Sequence, residues 1–419
     1  MTVIERPVLG VNSLAPEITE KPDKVGTILG EFKRLADKPM GDDERMGAFY
    51  KAAGDLVATN PKFNSLVTDA SKRDITPSHF SNLILRGVQY IAIDSGRTRY
   101  GEEFRNPEAW QDLLVGDDGI LNNPDKEKKL KDILATKETT TTIYQRYVGS
   151  KIALNAVFGE QPVRVADFGC GANYGLKGLD CKAPFDSLRV VTGGPIDEDD
   201  IGGKEKVDTL IKKPLTLEEG FAVDKNDPSG EVERKWRIAC SFYPQELTPM
   251  NLRKINTFED MVAKNEQSRL KFLHGNLLRL ETNHADGTLP EDHFDAVIMS
   301  TILYQMTPEQ QEHVIDTAKT TLNDGGILIL QDFAEKDKDT KIGVKIKGLS
   351  SEPFSYRTLV MRKDGTEWKE LMRFGNGRCK KAQLGDDFDE IVNQRKINGE
   401  NNQSVSHEVE VYSAQTLHK

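Results

Sequence analysis

The segment VRVADFGCGANYG, residues 163–175, decides the predicted fold. Val163–Phe168 has the residue types of a buried strand, and the strand is followed by Gly169 and Gly171. Glycines at such a turn let backbone amides approach a ligand closely and lead the chain into a helix. Tyr174 stands where a dinucleotide-binding GxGxxG motif needs its third glycine. Since Asp167 would repel a pyrophosphate, the loop favours a ligand with a cationic or amino group.

Downstream of this loop, short apolar runs alternate with helical segments, which is the pattern of a parallel βαβ sheet. Between two of these runs, Thr307, Pro308 and Gln310 have the spacing of a helix start with a capping box. Further strands are predicted at Trp236–Phe242, Leu270–Leu273, Phe294–Ser300 and Ile327–Gln331, with a hairpin of Ser355–Met361 and Trp368–Phe374 and a last strand at Ser404–Tyr412.

Upstream of the loop, the pattern is helical. Asn106-Pro107 and Asn123-Pro124 each have the form of a helix N-cap followed by proline, and Pro77 opens another helix. The chain has 419 residues, more than the roughly 250–300 at which one core stops growing. We therefore predict a helical cap domain over residues 1–135 and a catalytic domain over residues 136–419.

Composition narrows the class of partner and the compartment. The net charge of −10 gives no general attraction for nucleic acid or anionic membranes. No run approaches the ~18 apolar residues of a membrane span, and the N-terminus lacks the apolar core of a signal peptide. The four cysteines have no metal-binding spacing and fit a reducing compartment. We expect a cytoplasmic protein without a metal, a membrane contact or a nucleic-acid partner.

A second segment, residues 275–333, gives the loop its context. Asn276-Leu277, Leu289-Pro290, Phe294-Asp295, Leu303-Tyr304-Gln305 and Gly325-Gly326 follow one another in this order. Together with the glycine loop, this order resembles the class I S-adenosylmethionine-dependent methyltransferase family. The resemblance covers residues from about Tyr144 to Phe333 and, more loosely, to Tyr412. It implies an α/β fold, with a Rossmann-like, doubly wound, seven-stranded and mostly parallel sheet.

The resemblance also implies S-adenosyl-L-methionine as the cofactor and a role for each matching residue. Asp167, Gly169 and Gly171 would line its methionine part, and Tyr147 would close over the carboxylate. Asn276 and Leu277 would face the adenine, and Ser300 and Thr301 would lie under the sulfonium. Tyr304 and Gln305 would look into the substrate cavity. The positions implied are therefore Tyr147, Asp167, Gly169, Gly171, Asn276, Leu277, Ser300, Thr301, Tyr304 and Gln305.

Three departures from the family pattern stand out. Family members usually carry an acid at the end of the second strand, where it binds the ribose hydroxyls, and our alignment of residues 237–247 puts Ser241 there. Ser241 is accordingly predicted to bind the ribose, with Glu246 as a substitute. Asn276 replaces the commoner aspartate, and its amide oxygen still accepts a hydrogen bond. A long insertion after the first strand is predicted over about 176–235.

These observations favour a methyltransferase that acts on the oxygen or nitrogen of a small molecule. A protein acceptor and a catalytically silent binding protein are the alternatives, and the missing second-strand acid motivates the second of them. Tyr174 disfavours a nicotinamide-dependent oxidoreductase. The sequence indicates neither a catalytic base nor an oligomeric state.

Other candidates have simpler interpretations. Cys170 fits a small residue that packs under a ligand better than a nucleophile. The remaining candidates are surface or edge-strand residues, namely His274, His284, His293 and His313, which lack paired metal spacing, and Arg357, Arg362, Arg373 and Arg378 in the hairpin region.

Overall fold

The structure is a computed structural model. It describes residues 24–39, 43–73, 75–97, 100–140, 143–193, 198–241, 258–264, 269–280, 289–346 and 353–393. The predicted strand Ser404–Tyr412, Glu246 and His284 lie outside the described residues.

Helices make up the N-terminal region, as predicted. They are α1 (Lys24–Asp37), α2 (Glu44–Thr59), α3 (Pro61–Ala70), α4 (Pro77–Asp94), α5 (Pro107–Val115) and α6 (Pro124–Thr136). The last four begin with proline, whose fixed φ suits the first helical position. At three of these helix starts, a side chain accepts a hydrogen bond from a backbone amide; these side chains are Asn60, Thr76 and Asn123. The helix starts predicted at Pro77, Pro107 and Pro124 are confirmed.

The rest of the described chain alternates strands with helices. The strands are β1 (Val163–Phe168), β2 (Arg189–Val190), β3 (Leu217–Asp224), β4 (Leu270–His274), β5 (Phe294–Ser300), β6 (Leu322–Asp332), β7 (Ala334–Lys336), β8 (Val344–Ile346), β9 (Tyr356–Arg362), β10 (Lys369–Phe374) and β11 (Lys381–Leu384). The helices are α7 (Val148–Val157), α8 (Tyr174–Asp180), α9 (Ile201–Lys212), α10 (Glu231–Ser241) and α11 (Pro308–Thr321). Residues 258–263 and 388–393 are also helical.

Nine of these strands form one sheet in the order β2-β11-β10-β9-β6-β5-β1-β3-β4. The five neighbours β6, β5, β1, β3 and β4 are parallel. Their carboxyl ends therefore meet at one edge, where open α/β sheets bind ligands. Strands β9 and β10 are the predicted hairpin, and β9 runs antiparallel to β6. The α/β class and the mostly parallel sheet are confirmed, but the expected number of seven strands is wrong.

The second core strand is the main correction to the sequence prediction. Trp236–Phe242, predicted to be this strand, lies in helix α10 as far as Ser241, where the helix ends. The strand that pairs with β1 is β3, with Phe168 opposite Val223. It lies inside the insertion predicted over 176–235, so the chain added after β1 is shorter than expected. That added chain forms the edge strand β2 and helix α9.

Buried apolar side chains form three clusters. One joins helices α1 to α6 and also contains Trp236 and Ala239 of α10. The other two lie in the part of the chain that holds the sheet, and Tyr147 and Val165 belong to one of them, Phe168 and Phe294 to the other. Helix α10 follows β3 in the chain but packs into the helical cluster, so it links the two regions.

Candidate functional site

A cavity of about 280 Å³ opens at the carboxyl edge of the sheet. Its walls come from the segments that follow β1, β3, β4 and β5, and from residues next to helices α3, α6 and α10. Of the positions predicted from the sequence, the cavity is lined by Gly169, Gly171, Asn276, Leu277, Ser300, Thr301 and Gln305. Four separate strand ends thus bring residues that are up to 136 positions apart in the chain to one place.

The glycine loop has a conformation that other residues adopt with strain. Gly169 and Gly171 have φ values of +71° and +54°, in the left-handed region where only glycine is free of cost. A Cβ atom on Gly169 would lie 2.5 Å from Cγ2 of Ile302. The loop is tied to the neighbouring strand, because the amides of Gly169 and Cys170 both donate to the Val223 carbonyl oxygen, at 2.8 and 3.2 Å. The loop amides are therefore fixed at the cavity wall.

Asp167, two residues before this loop, is a buried carboxylate without a partner. The residue is fully buried, and neither of its carboxylate oxygens has a hydrogen-bond partner among the described residues. Burial is the main cause that raises the pKa of Asp167 to about 8, the nearby Tyr147 hydroxyl lowers it, and the charge of Asp224 raises it. A buried charged group without a partner is costly. Asp167 itself is not among the residues that line the cavity, whereas Gly169 and Gly171 of the loop that follows it are.

Asp224 is the site residue that the sequence reasoning missed. It ends β3 and lines the cavity. Its Oδ2 accepts a hydrogen bond from the Gly171 amide at 2.8 Å, and its Oδ1 accepts one from Asn226 at 3.1 Å. Burial raises its pKa. The acid expected at the end of the second strand is therefore present, and Ser241, assigned to that position from the sequence, is the last residue of helix α10.

Asn276 and Leu277 form the part of the wall that follows β4. The Asn276 side chain accepts a hydrogen bond from the Leu278 amide at 3.1 Å and so caps a short 3-10 turn, Leu277–Arg279. Leu277 is buried beneath this turn. Asparagine keeps its amide NH₂ group as a donor in this arrangement.

Ser300 and Thr301 follow β5 at the cavity wall. Thr301 has a φ of +59°, which is rare for a β-branched residue and is found where surrounding contacts enforce it. Here its amide donates to the Gln331 carbonyl oxygen at 2.8 Å, and its Oγ1 lies 2.9 Å from the Tyr356 hydroxyl and 3.3 Å from a guanidinium nitrogen of Arg146. The buried Ser300 hydroxyl has no partner among the described residues.

Tyr304 and Gln305 lie on the 3-10 turn Leu303–Gln305. Gln305 lines the cavity and donates to the Thr301 carbonyl oxygen at 2.9 Å. Asp332 fixes the turn, because its Oδ2 accepts from the amides of Leu303 and Tyr304 at 2.9 and 3.2 Å. Tyr304 is buried, and its hydroxyl lies 3.4 Å from Oγ1 of Thr139, which lines the cavity.

Tyr147 does not line the cavity. It is 1% exposed and packs against helix α8, where a Cβ atom on Gly175 would lie 2.2 Å from its ring. The closing role expected of Tyr147 therefore stays a prediction.

Several lining residues come from segments that the sequence reasoning had not connected with the site. They are Arg73 and Ile75 after α3 and Glu138, Thr139 and Thr140 after α6. Trp236 and Arg237 also line the cavity, but from helix α10 and not from the strand predicted there. Nothing in the sequence of these segments marks them, because they reach the cavity only through the packing of the helical region against the sheet edge.

The other candidate residues from the sequence are buried or contact other protein groups. Burial raises the pKa of the Cys170 thiol well above its usual value, so it stays a thiol and a poor nucleophile. His274 contacts the Lys225 carbonyl oxygen at 2.7 Å, and His293 pairs with Glu219. The buried Glu370 binds Arg357 and Arg373. In the described part of the chain, no three His, Cys, Asp or Glu side chains are grouped as a metal site.

Comparison with known proteins gave matches among solved structures only. No protein-family model and no curated protein matches the sequence. The chain is similar to an S-adenosylmethionine-dependent methyltransferase from Mesorhizobium loti, with 11% identity over 44% of this chain and 53% of that one and a TM-score of 0.22. It is similar to a predicted O-methyltransferase from Agrobacterium tumefaciens, with 18% identity over 43% and 60% of the two chains and a TM-score of 0.22.

A third match is phosphoethanolamine N-methyltransferase 1 from Haemonchus contortus, in complex with phosphoethanolamine and S-adenosylhomocysteine. The identity is 10% over 49% of this chain and 28% of that one, and the TM-score is 0.23. These alignments span between 28% and 60% of the matched proteins. All three matches are methyltransferases by name, the class that the sequence motifs predicted.

Proposed function

We propose that this protein is a methyltransferase that uses S-adenosyl-L-methionine and acts on a small molecule in the cytoplasm. The observation that carries the proposal is a glycine loop at the cavity wall with an acid from each of two neighbouring strands beside it: Asp224, which ends β3 and lines the cavity, and Asp167, the last residue but one of β1, which is buried. One acid is buried without a partner, and the other holds the Gly171 amide. The two carboxyl groups would accept hydrogen bonds from the amino group of an amino acid and from the hydroxyls of a ribose.

The cavity residues fit the parts of this cofactor in order along the sheet edge. Asp167, Gly169 and Gly171 would hold the amino acid part, and Asp224 would accept hydrogen bonds from the ribose hydroxyls. Asn276 and Leu277, one strand further out, would face the adenine. Since the ribose acid is Asp224, a single residue replaces the pair Ser241 and Glu246 considered from the sequence.

The bound cofactor supplies an electrophilic methyl group on a sulfonium, which is already a good leaving group. The protein then has to orient the acceptor and exclude water. Thr301 and Gln305 are held rigidly for this purpose by hydrogen bonds to Gln331, to Tyr356 and to each other. Positioning of this kind contributes a large part of the barrier reduction in displacement reactions.

The helical region, residues 1–135 in our domain division, acts as a cap that selects the acceptor. Its contribution to the cavity is Arg73 and Ile75, with Glu138 and Thr139 from the segment that follows α6. A cavity of about 280 Å³ suits a small acceptor beside the cofactor. None of the helices in the described part of the chain has the length and apolar character of a membrane span, and the four free cysteines support a reducing compartment.

A catalytically silent binding protein was considered because the second-strand acid was missing from the alignment. Since Asp224 provides an acid at the end of that strand, the reason for this alternative no longer holds.

Calorimetric titration with S-adenosyl-L-methionine tests the proposal. We expect Asp224→Asn to weaken binding about tenfold or more, since it replaces a charge-assisted hydrogen bond with a neutral one. Asparagine still accepts from the Gly171 amide, so the loop should keep its place. Ser241→Ala is the matched control and should bind within about twofold of the wild type. A wild-type protein that fails to bind the cofactor at millimolar concentration would overturn the proposal.

A further inference from the structure

A series of polar side chains, of which Tyr304 and His79 are buried, connects the cavity with the helical region. Thr139 lines the cavity, and its Oγ1 lies 3.4 Å from the Tyr304 hydroxyl. That hydroxyl is 3.2 Å from Nδ1 of His79, and Nε2 of His79 is 2.6 Å from a carboxylate oxygen of Glu138. His79 is fully buried on helix α4. The four side chains thus form a continuous hydrogen-bonded series, which we call the relay.

The contacts of Glu138 determine where the protons of the relay lie. Burial opposes its ionisation, but His79, Lys225 and Arg73 outweigh burial and lower its pKa to about 2. An ionised carboxylate only accepts hydrogen bonds, so Nε2 of His79 carries the hydrogen of that contact. Nδ1 of a neutral His79 is then an acceptor, and the Tyr304 hydroxyl donates to it. His79 is therefore oriented to receive a proton from the side of the cavity.

The charges around the cavity describe the acceptor. In the described part of the chain the charged lining residues are Arg73, Lys225 and Arg237 together with Glu138, Asp224 and Glu233. Arg73 and Lys225 contact Glu138, Arg237 contacts Glu259, and Glu233 contacts Lys137. Five of these six groups are in ion pairs within the chain, and the sixth, Asp224, accepts backbone hydrogen bonds. Three positive and three negative groups leave no net charge on the lining for a charged substrate. The apolar members beside them include Ile75, Trp236 and Met306.

We propose that the acceptor is an uncharged hydroxyl compound and that His79 takes up its proton through Tyr304 and Thr139. This inference rests on the proposed methyltransferase function and adds to it the acceptor class and the residue that stores the proton. A hydroxyl, unlike a neutral amine or a thiolate, must lose its proton to become a strong nucleophile. Imidazole is the side chain suited to exchange a proton at neutral pH.

The proton of the acceptor hydroxyl is passed to His79 in three proton transfers. The proton of the acceptor moves to Oγ1 of Thr139, the Thr139 proton moves to Tyr304, and the Tyr304 proton moves to Nδ1 of His79. The acceptor oxygen keeps the electron pair of its broken O–H bond and uses it for the new C–O bond, while the C–S pair returns to sulfur. The positive charge lost from the sulfonium reappears on the imidazolium, beside the Glu138 carboxylate.

The first test reads the proton positions in the protein alone. Nitrogen-15 NMR of the histidine rings, with His79→Gln identifying the His79 signals, should show Nε2 protonated and Nδ1 unprotonated at neutral pH. Tyr304→Phe should shift the Nδ1 signal, because it removes the donor. Tyr50→Phe is the control, since the Tyr50 hydroxyl contacts helix α4 at the Ser81 carbonyl oxygen, 3.3 Å away, outside the relay. A protonated Nδ1 would overturn the proposal.

The second test compares acceptors that do and do not need a base. Phenol, catechol and benzyl alcohol are the hydroxyl probes, and thiophenol, which is ionised at neutral pH, needs no base. We expect His79→Gln and Tyr304→Phe to slow methyl transfer to the hydroxyl probes about 100-fold. Transfer to thiophenol, cofactor affinity and the Tyr50→Phe control should stay within about twofold.

Two results would separate the two proposals. Equal losses with phenol and thiophenol, or no transfer to any hydroxyl probe by a protein that binds the cofactor, would overturn the relay and leave the methyltransferase proposal standing. A protein that does not bind the cofactor would overturn the methyltransferase proposal itself.

Discussion

Asp167, the last residue but one of β1, and Asp224, the last residue of the neighbouring parallel strand β3, both have pKa values raised by burial. Their environments differ in one respect. Asp224 accepts two backbone hydrogen bonds, whereas Asp167 accepts none from the described residues. In the free protein, burial therefore keeps Asp167 protonated up to about pH 8, and a nearby cationic group of a ligand would favour its ionised form. This residue links the stability of the ligand-free protein to the binding of its ligand.

Replacing Asp167 by Asn should change how stability depends on pH. The pKa of this group rises from 3.8 unfolded to about 8 folded, so the native state holds a proton that the unfolded state releases between these values. The free energy of unfolding therefore falls as pH rises through this window, by at most about 1.4 kcal/mol per unit for one proton. Urea denaturation at pH 5 and pH 8 should show a smaller fall for Asp167→Asn than for the wild type.

The free energy of unfolding of Asp167→Asn should still decrease in part between pH 5 and pH 8, because burial also raises the pKa of Asp332 to about 7. Asp118→Asn, at an exposed position, is the control and should keep the wild-type profile. An unchanged pH dependence in Asp167→Asn would mean that Asp167 is ionised in the native state.

At the scale of the element, helix α8 packs closely against the two tyrosine rings before β1, because the helix has glycines where it meets them. A Cβ atom on Gly175 would lie 2.2 Å from the Tyr147 ring, and one on Gly178 would lie 2.2 Å from the Tyr144 ring. We expect Gly175→Ala to destabilise the protein by about 1–3 kcal/mol, because the buried Tyr147 ring cannot move without repacking. The midpoint of urea denaturation measures this effect.

Gly202 is the matched control, since it is also helical but a Cβ atom there would meet nothing closer than 3.9 Å. Gly202→Ala should stabilise by about 0.4–1 kcal/mol through the lower entropy of the unfolded chain. Equal effects at the two positions would contradict the close contact between α8 and Tyr147.

The strands that could be predicted from the sequence are those with uninterrupted apolar runs. Phe294–Ser300 is predicted with its observed bounds, and Ile327–Gln331 lies within β6. Strand β3 was missed because the second to fourth residues of Leu217–Asp224 are two glutamates and a glycine, of which only the glycine is buried. Trp236–Phe242 was mistaken for a strand because it is apolar, although Trp236 and Ala239 lie three positions apart, as on one face of a helix.

The site residues that could be predicted from the sequence are those marked by a neighbouring strand, and the others are brought to the site only by packing of distant segments. Gly169, Asn276 and Ser300 could be predicted because each is the last residue of its strand or lies within two residues of the strand end. Asp224 is also the last residue of a strand, and the run FAVD at residues 221–224 was the signal available for it. Glu138 and His79 have no such signal, because they meet Tyr304 only after helix α4 has packed on the sheet edge.

At the scale of the whole molecule, helix α10 connects the two regions through Trp236. Trp236 is 2% exposed, its indole nitrogen donates to the Glu138 carbonyl oxygen at 2.9 Å, and its ring meets Tyr90 at a centroid distance of 5.9 Å. The same side chain lines the cavity. The contact that joins the helical region to the sheet region is therefore also part of the cavity wall, so loosening one should loosen the other.

Trp236→Ala should uncouple the two regions during unfolding. Loss of this buried ring should cost about 3–5 kcal/mol and should fall mainly on the helical cluster to which Trp236 belongs. The chain has three tryptophans, so the variant keeps Trp110 in the helical cluster and Trp368 in a sheet cluster. In Trp236→Ala combined with Trp368→Phe or with Trp110→Phe, fluorescence during urea denaturation then follows one region at a time. The Trp110 transition should occur at lower urea than the Trp368 transition, whereas Trp236→Phe should keep them coincident. Coincident transitions in the alanine variant would show that contacts other than Trp236 hold the cap on the sheet.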